Sequence, residues 1–362
     1  MVACGKKVRW GDNKFKFKIG RTMLTQLIIN LLLPNTLHFV DPLKRDRYPK
    51  TDPKHPKVKP ILLYIPGFDG TLLSPFLQFP ELSSHFEIFG LETDPSDRST
   101  FASLKSYVTD WILESERPVY LCGESFGGLL SCSVASSFSH DNHNLKGLIL
   151  VNPATSYGTS ALKEQGAIAA NSSNFFSYIA NLINLLPLFT DQHSFNQLFQ
   201  ILGGSNVPSI IDTPAKEAYL GRYAFNLWKK LKFMPQSTLI FRLKLLSTPI
   251  SDATISNIRV KSLIVVAEND NTLDSVSEAA RLSNLIPDTK IHVVPGGGHS
   301  TTLGSRCDLT ALVRSSFSGF EGRKAMKPDA ANRENEFYGL VKRDKKEALS
   351  LFLYWKFAAR IT

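Results

Sequence analysis

Residues 119–128 read Val-Tyr-Leu-Cys-Gly-Glu-Ser-Phe-Gly-Gly, and this stretch decides the fold of the chain. An apolar run typical of a β-strand leads into Gly-x-Ser-x-Gly, and a helical pattern of small and apolar residues follows at 126–138. This order is typical of a nucleophile elbow, where a strained backbone lifts the serine hydroxyl clear of the sheet. Side chains at Gly123 and Gly127 would collide with the neighbouring strand and helix. A serine between glycines also occurs in ordinary turns, but the flanking elements favour Ser125 as a nucleophile.

Short apolar runs on both sides of the elbow predict further strands, of which those at 61–65, 86–91 and 145–151 are expected to be buried. Helical patterns lie between them at 101–113 and 275–285. The predicted strands are 61–65, 86–91, 119–122, 145–151, 262–267 and 291–295. Strands that alternate with helices predict an α/β fold, with a mostly parallel sheet covered on both faces.

The alternation is interrupted by an insertion from residue 154 to about residue 258. Within it, residues 175–189 are apolar on more than one side, and a helix of this kind must be buried. Packing in the core is one explanation. The other is a helical cap over the elbow that accepts an acyl or isoprenoid chain, because an insertion at this point lies beside the nucleophile.

The net charge of +10 belongs to the ends of the chain. Residues 1–60 contain 14 Lys and Arg against 4 Asp and Glu, and residues 321–362 contain 10 against 6. A nucleic-acid-binding domain would carry its basic residues on the folded body, so we expect no nucleic-acid partner. The four cysteines lack paired spacing, and we expect no disulfide framework, metal or cofactor.

Both termini leave alternatives open. The apolar run at 23–33 is too short to span a bilayer and is a packed helix, a targeting segment or a membrane-surface anchor. Residues 41–60 are charged and rich in proline, which predicts an extended linker, so the folded body is expected to begin at Ile61. The basic tail at 321–362 ends in an apolar stretch, which is a docked helix or one that contacts a membrane.

A serine nucleophile needs a base in contact and a carboxylate that orients the base. In α/β-hydrolases these residues follow in the order Ser, acid, His, each just past the end of a strand. Asp270 and His299 satisfy both conditions, and His299 is the one histidine of eight that lies just past a sheet strand in this way. Asp274 is the nearest rival of Asp270, and His292 alternates within its strand, which indicates a structural role.

The tetrahedral intermediate of such a reaction needs hydrogen-bond donors for its oxyanion. The backbone N–H of Phe126, directly after the nucleophile, is one candidate. The turn after the first predicted strand supplies the second, the N–H of Phe68, because Gly67 and Gly70 allow the backbone to approach a substrate closely. A plain structural turn would look similar, so this assignment depends on the triad.

Three segments carry a specific resemblance: Ile-Pro-Gly-Phe-Asp-Gly-Thr at 65–71, Gly-Glu-Ser-Phe-Gly-Gly at 123–128 and Asn-Pro-Ala-Thr-Ser at 152–156. Together they resemble the α/β-hydrolase half of the plant phytyl ester synthase family, the chloroplast esterase/lipase/thioesterase proteins. The resemblance covers about residues 60–315. It implies an α/β-hydrolase domain at 61–320, a plastid setting, and acyl transfer to phytol or diacylglycerol. It also supports Ser125, Asp270 and His299 as the triad.

The plant family has a second, lysophospholipid-acyltransferase-like domain with a His-x-x-x-x-Asp motif. No histidine among these 362 residues is followed by Asp five positions later. Activity that resides in that domain is therefore not expected here, and hydrolysis or triad-based transfer remains.

The sequence thus predicts a serine hydrolase or acyltransferase that acts on lipid or other acyl esters. A carboxylesterase, thioesterase or cofactor-free haloperoxidase of the same fold is one alternative, and a non-catalytic binding protein is another. The basic termini suggest contact with a membrane surface. The expected location is the plastid by resemblance, and otherwise the cytoplasm, with no prediction of oligomeric state.

Overall fold

A computed structural model describes residues 36–42, 59–138, 144–156 and 235–317, together with residue 200. The chain divides into two compact units, Met1–Thr36 and Leu37–Thr362, and the elements below belong to the second. The predictions on the apolar run at 23–33, on residues 175–189 of the insertion and on the tail at 321–362 lie outside the described residues.

The described residues form a seven-stranded sheet of order β1-β3-β2-β4-β5-β6-β7. All neighbouring strands are parallel except β1, which runs antiparallel to β3. The strands are β1 (Leu37–Val40), β2 (Ile61–Ile65), β3 (Glu87–Thr93), β4 (Val119–Glu124), β5 (Leu145–Val151), β6 (Ser262–Ala267) and β7 (Thr289–Val294).

Helices flank the sheet, with two short 3-10 segments at Ser74–Leu77 and Thr301–Leu303. The helices are α1 (Phe79–Leu82), α2 (Phe101–Glu114), α3 (Phe126–Ala135), α4 (Gln236–Leu246), α5 (Asp252–Ile255), α6 (Ser275–Leu285) and α7 (Leu309–Ser316). The helix predicted at 126–138 therefore ends three residues early, at Ala135.

Two hydrophobic cores lie on opposite faces of the sheet. Successive side chains of a strand point to opposite faces, and in β2 Leu63 belongs to one core while its neighbours Leu62 and Tyr64 belong to the other. Every residue of β2 and of β6 is buried, which explains why these strands are continuous apolar runs. The prediction of a mostly parallel sheet covered on both faces is confirmed.

The start of the sheet differs from the prediction, because β1 pairs with β3 well before Ile61. Its Phe39 ring stacks on Tyr107 of α2 at 4.9 Å and packs against Trp111 at 5.0 Å. A four-residue strand with an exposed His38 gives almost no pattern in the sequence, because its pairing and its aromatic contacts are both long-range. The sheet therefore begins at Leu37.

The parallel strands bring their carboxyl ends to one edge of the sheet. The elbow follows β4 there, and the loops after β6 and β7 reach the same edge. Ligand sites of open α/β sheets lie at this edge. In the part of the chain that the structure describes, no helix has the length and apolar character needed to cross a membrane.

Candidate active site

Ser125 occupies the sharp turn between β4 and α3. Its backbone has φ 54° and ψ −116°, a conformation that non-glycine residues rarely adopt and that costs about 1–3 kcal/mol. Four backbone hydrogen bonds hold it there: the Ser125 N–H donates to the Val151 carbonyl at 2.9 Å, and the Ser125 carbonyl accepts from the N–H groups of Gly128, Leu129 and Ala154 at 2.9, 3.3 and 3.0 Å. Hydrogen bonds from the end of β5 and the residues just after it therefore stabilise the strained turn.

The glycines around Ser125 permit the close packing of strand and helix. A Cβ at Gly123 would strike the Gly127 backbone and the Ser131 hydroxyl on α3. A Cβ at Gly127 would strike the carbonyl oxygens of Ile65 and Pro66 at the end of β2. Both collisions agree with the steric reason inferred from the sequence, and both involve backbone atoms that cannot swing aside.

The structure brings Ser125, His299 and Asp270 into one hydrogen-bonded series. The Nε2 atom of His299 lies 3.1 Å from Ser125 Oγ, and its Nδ1 atom lies 2.8 Å from Asp270 Oδ2. Ser125 and His299 are only 4% and 2% exposed, and the Asp270 side chain is buried. A base within hydrogen-bond reach of a hydroxyl, itself oriented by a carboxylate, is the arrangement that a nucleophilic serine requires.

Asp270 is held as an anion by its surroundings. Burial raises its pKa, but the imidazole of His299, the Ser275 hydroxyl and the Leu273 N–H favour the carboxylate, and the net pKa lies below the ordinary value of 3.8. The N–H groups of Thr272 and Leu273 donate to Oδ1 at 2.9 and 3.0 Å, and Oδ2 accepts from the Ser275 hydroxyl and contacts the imidazole. The rival residue, Asp274, caps α6 instead.

Asn152 holds the histidine loop in register with the sheet. Its Nδ2 donates to the His299 carbonyl at 2.6 Å, and its Oδ1 accepts from the Ala267 N–H at 2.8 Å. It also adopts a positive φ of 41° directly after β5. The sequence predicted no role for this residue beyond its place in the segment at 152–156, although an asparagine that tolerates the left-handed region is a recognisable signal.

The two predicted oxyanion donors belong to α3 and to the turn after β2. Phe126 is the first residue of α3, and the N–H groups of the first helical turn have no acceptor within the helix. The turn that carries Phe68 lies against the elbow, because a Cβ at Gly67 would sit 3.6 Å from the Ser125 Cβ. The Gly70 N–H donates to the Gly67 carbonyl at 3.0 Å, which closes the turn.

Glu124, between the glycine and serine of the motif, was not predicted to have a role. It is buried and accepts hydrogen bonds from the Tyr64 hydroxyl at 2.5 Å and the Ser74 hydroxyl at 2.7 Å. Burial raises its pKa, while the two hydroxyl groups and His299 favour the charged form. Glu124 thus ties the elbow to β2 and to the 3-10 segment after the turn.

An apolar cleft leads away from the oxyanion turn. It offers about 30 Å³ of space to a water-sized molecule and is partly open to solvent, and Arg242 and Asp97 supply polar atoms at its wall. Most of the lining is hydrophobic: Ile65, Phe68, Leu91, Leu104, Phe126, Leu130 and Leu245. Within the described ranges, no group of three His, Cys, Asp or Glu side chains is placed to hold a metal ion.

Comparison with known sequences gives one family and two curated relatives. The model of the alpha/beta hydrolase fold matches residues 60–303. Phytyl ester synthase 1, chloroplastic, of Arabidopsis thaliana is 26% identical over 277 residues, which cover 70% of this chain and 36% of that protein. Phytyl ester synthase 2, chloroplastic, of the same organism is 26% identical over 282 residues, covering 70% and 37%. The chain spans little more than a third of the length of these relatives.

Solved structures show the same fold at low identity. MenH from S. aureus has a TM-score of 0.52 at 13% identity, covering 78% of this chain and 97% of that one. A thermophilic esterase from Thermogutta terrifontis with bound malate has a TM-score of 0.51 at 16% identity, covering 71% and 89%. Because the family model matches more than half of its residues, the chain belongs to the alpha/beta hydrolase fold family.

Proposed function

We propose that this protein is a serine hydrolase or acyltransferase that acts on lipid esters through an acyl intermediate on Ser125. One observation carries the proposal: the imidazole of His299 contacts the hydroxyl of Ser125 with one nitrogen and Asp270 with the other. A serine at the strained turn after a parallel strand exposes its hydroxyl to a substrate at the edge of the sheet.

In the proposed reaction His299 Nε2 takes the proton of Ser125 Oγ while Oγ attacks the carbonyl carbon of the ester. The N–H groups of Phe68 and Phe126 donate to the resulting oxyanion. The intermediate collapses when the C–O bond to the alcohol breaks, and the imidazolium gives its proton to the leaving alkoxide. The Asp270 anion keeps the imidazole oriented and stabilises its cation in both steps.

Water or an alcohol then resolves the acyl-enzyme. The incoming O–H group gives its proton to His299 Nε2 and attacks the acyl carbon, and Ser125 leaves with that proton restored. Water yields the free acid, and an alcohol such as phytol or a diacylglycerol yields a new ester. The two outcomes share every protein group, so the access of water to the acyl-enzyme decides between them.

Two observations support a lipid substrate. The cleft beside the proposed oxyanion donors is lined mainly by apolar residues, which suits an apolar chain. The curated relatives are named phytyl ester synthases of the chloroplast, and we extend both the acyl chemistry and the plastid location from their names to this chain as part of the proposal.

Turnover of fluorogenic esters from acetate to palmitate tests the proposal. We expect kcat/KM to rise with chain length, and Ser125→Ala to reduce kcat by at least about 10³-fold. Ser131→Ala is the matched control, because this buried hydroxyl on α3 has no hydrogen-bond partner among the described residues. Full activity of Ser125→Ala would contradict the mechanism, and a preference for acetate would favour a small-molecule esterase.

The choice between water and alcohol is measured in the same assay. Addition of phytol or a diacylglycerol should divert product from the free acid to the new ester, as mass spectrometry would show. Free acid alone, at every acceptor concentration, would restrict the function to hydrolysis.

A further inference from the structure

Arg242 on α4 is a buried cation that donates hydrogen bonds to carbonyl groups of the proposed oxyanion turn. It is 5% exposed and lies near the end of the insertion. Its Nη1 atom donates to the Phe68 carbonyl at 2.9 Å and to the Asp69 carbonyl at 3.0 Å, and its Nη2 atom donates to the Asp94 carbonyl at 2.6 Å. The triad mechanism does not use this side chain.

These hydrogen bonds fix peptide groups on which the position of the Phe68 N–H depends. On one side, the Gly67 carbonyl accepts from the Gly70 N–H, which orients the peptide group that carries the Phe68 N–H. On the other side, Arg242 holds the next carbonyl groups, those of Phe68 and Asp69. A donor contributes to an oxyanion hole only if it is aligned before the charge develops.

A guanidinium suits this role better than any other side chain. Its planar fork donates in two directions at once, so one residue joins the turn to the loop after β3. Burial lowers the pKa of Arg242, but Asp97, Asp69 and Asp94 raise it, and the group stays charged at neutral pH. Without it, carbonyl groups of the turn would be buried without a donor, at about 1–3 kcal/mol each.

We propose that Arg242 is a positioning residue that aligns the oxyanion donor of Phe68 and thereby couples the end of the insertion to catalysis. The inference rests on the proposed function. It predicts that loss of the guanidinium weakens binding of the tetrahedral intermediate and leaves binding of the planar ester nearly unchanged.

Inhibition by a trifluoromethyl ketone of long chain tests this prediction. The ketone forms a reversible tetrahedral adduct with the nucleophile, and its Ki, unlike kcat, does not change when part of the preparation is irreversibly inactive. For Arg242→Lys we expect a rise in Ki and a fall in kcat, each about 10- to 100-fold, with KM changed by less than about threefold. Guanidinium ion added to Arg242→Ala should restore part of the lost kcat and lower the Ki again.

Arg98→Ala is the matched control. Arg98 donates to Ser237 and to Thr238 Oγ1 at the start of the same helix and does not bond the turn. We expect its Ki and kcat to stay within about twofold of the wild-type values. If Arg242→Ala does not fold, Arg242→Lys decides the question alone.

A Ki that stays at the wild-type value in Arg242→Lys would overturn the inference, whether or not kcat falls. That result would indicate a purely structural side chain. The proposed function fails in a different way. Wild-type protein that neither turns over esters nor binds the ketone would contradict the triad mechanism, and this inference with it.

Discussion

At the scale of single residues, two nearby aspartates have different roles. Asp270 is the proposed triad carboxylate, and Asp274 is a helix cap. Asp270 reaches the imidazole of His299, whereas Asp274 accepts a hydrogen bond from the Ser277 N–H at the start of α6. Both residues follow β6 within one short loop. The pair therefore offers two matched substitutions, of which only the one at Asp270 should reduce activity.

Asp270→Asn should reduce kcat by about 10³- to 10⁴-fold, because an amide cannot hold the same imidazole tautomer or stabilise the imidazolium. Asp274→Asn should leave kcat unchanged, since asparagine also caps helices. Steady-state kinetics on one long-chain ester measures both. Equal losses in the two variants, or no loss in either, would contradict the assignment of Asp270.

The lowered pKa of Asp270 also predicts how stability depends on pH. A carboxyl whose pKa is lower in the folded chain stabilises the fold above its unfolded pKa of about 3.9 and loses that contribution as pH falls through the folded value. We expect the wild type to have a higher free energy of unfolding than Asp270→Asn at neutral pH, and the difference to shrink below about pH 4. Urea denaturation across the acid range measures this difference, which would stay constant if the carboxylate were not stabilised by its partners.

At the scale of elements, the packing of α3 on β2 depends on the absence of a side chain at Gly127. A Cβ there would meet the carbonyl oxygens of Ile65 and Pro66, which belong to the sheet and to the oxyanion turn. We expect Gly127→Ala to lower the free energy of unfolding by about 1–3 kcal/mol.

Denaturation by urea, with Ser131→Ala on the same helix as the control, measures the effect of Gly127→Ala. Ser131→Ala adds no atoms and removes a hydroxyl without a partner in the described chain, so its stability should be equal to the wild type or slightly higher. A Gly127→Ala protein as stable as Ser131→Ala would show that strand and helix can separate at little cost.

Much of the central sheet and the proposed triad could be predicted because both leave local patterns. β4 and β6 are buried along their whole length or nearly so, and Ser125 and Asp270 stand just past them, whereas His299 follows the largely exposed strand β7. Arg242 could not be predicted as a partner of the oxyanion turn, because the residues are 174 positions apart and an arginine in a helix usually faces solvent. The hydrogen bonds of Glu124 depend on tertiary contacts in the same way.

At the scale of the whole molecule, β1 extends the sheet with a strand from outside the predicted body. Its Phe39 packs on two aromatic residues of α2, so an edge strand and a surface helix stabilise each other. We expect Phe39→Ala to lower the free energy of unfolding by about 1–3 kcal/mol. His38→Ala on the exposed side of the same strand should change it by less than about 0.5 kcal/mol.

Thermal or urea denaturation of the two β1 variants compares them directly. A transition that is unchanged in Phe39→Ala would mean that β1 contributes nothing to the stability of the sheet, and that the structural body begins at Ile61 after all.

The central claim is that Ser125 is an activated nucleophile, and labelling with a fluorophosphonate probe tests it most directly. The probe phosphonylates an activated serine and loses fluoride, and peptide mass spectrometry locates the adduct. We predict one adduct on Ser125 in the wild type, its absence in Ser125→Ala, and strongly slowed labelling in Asp270→Asn. An adduct on another residue, or labelling that persists in Ser125→Ala, would contradict the account.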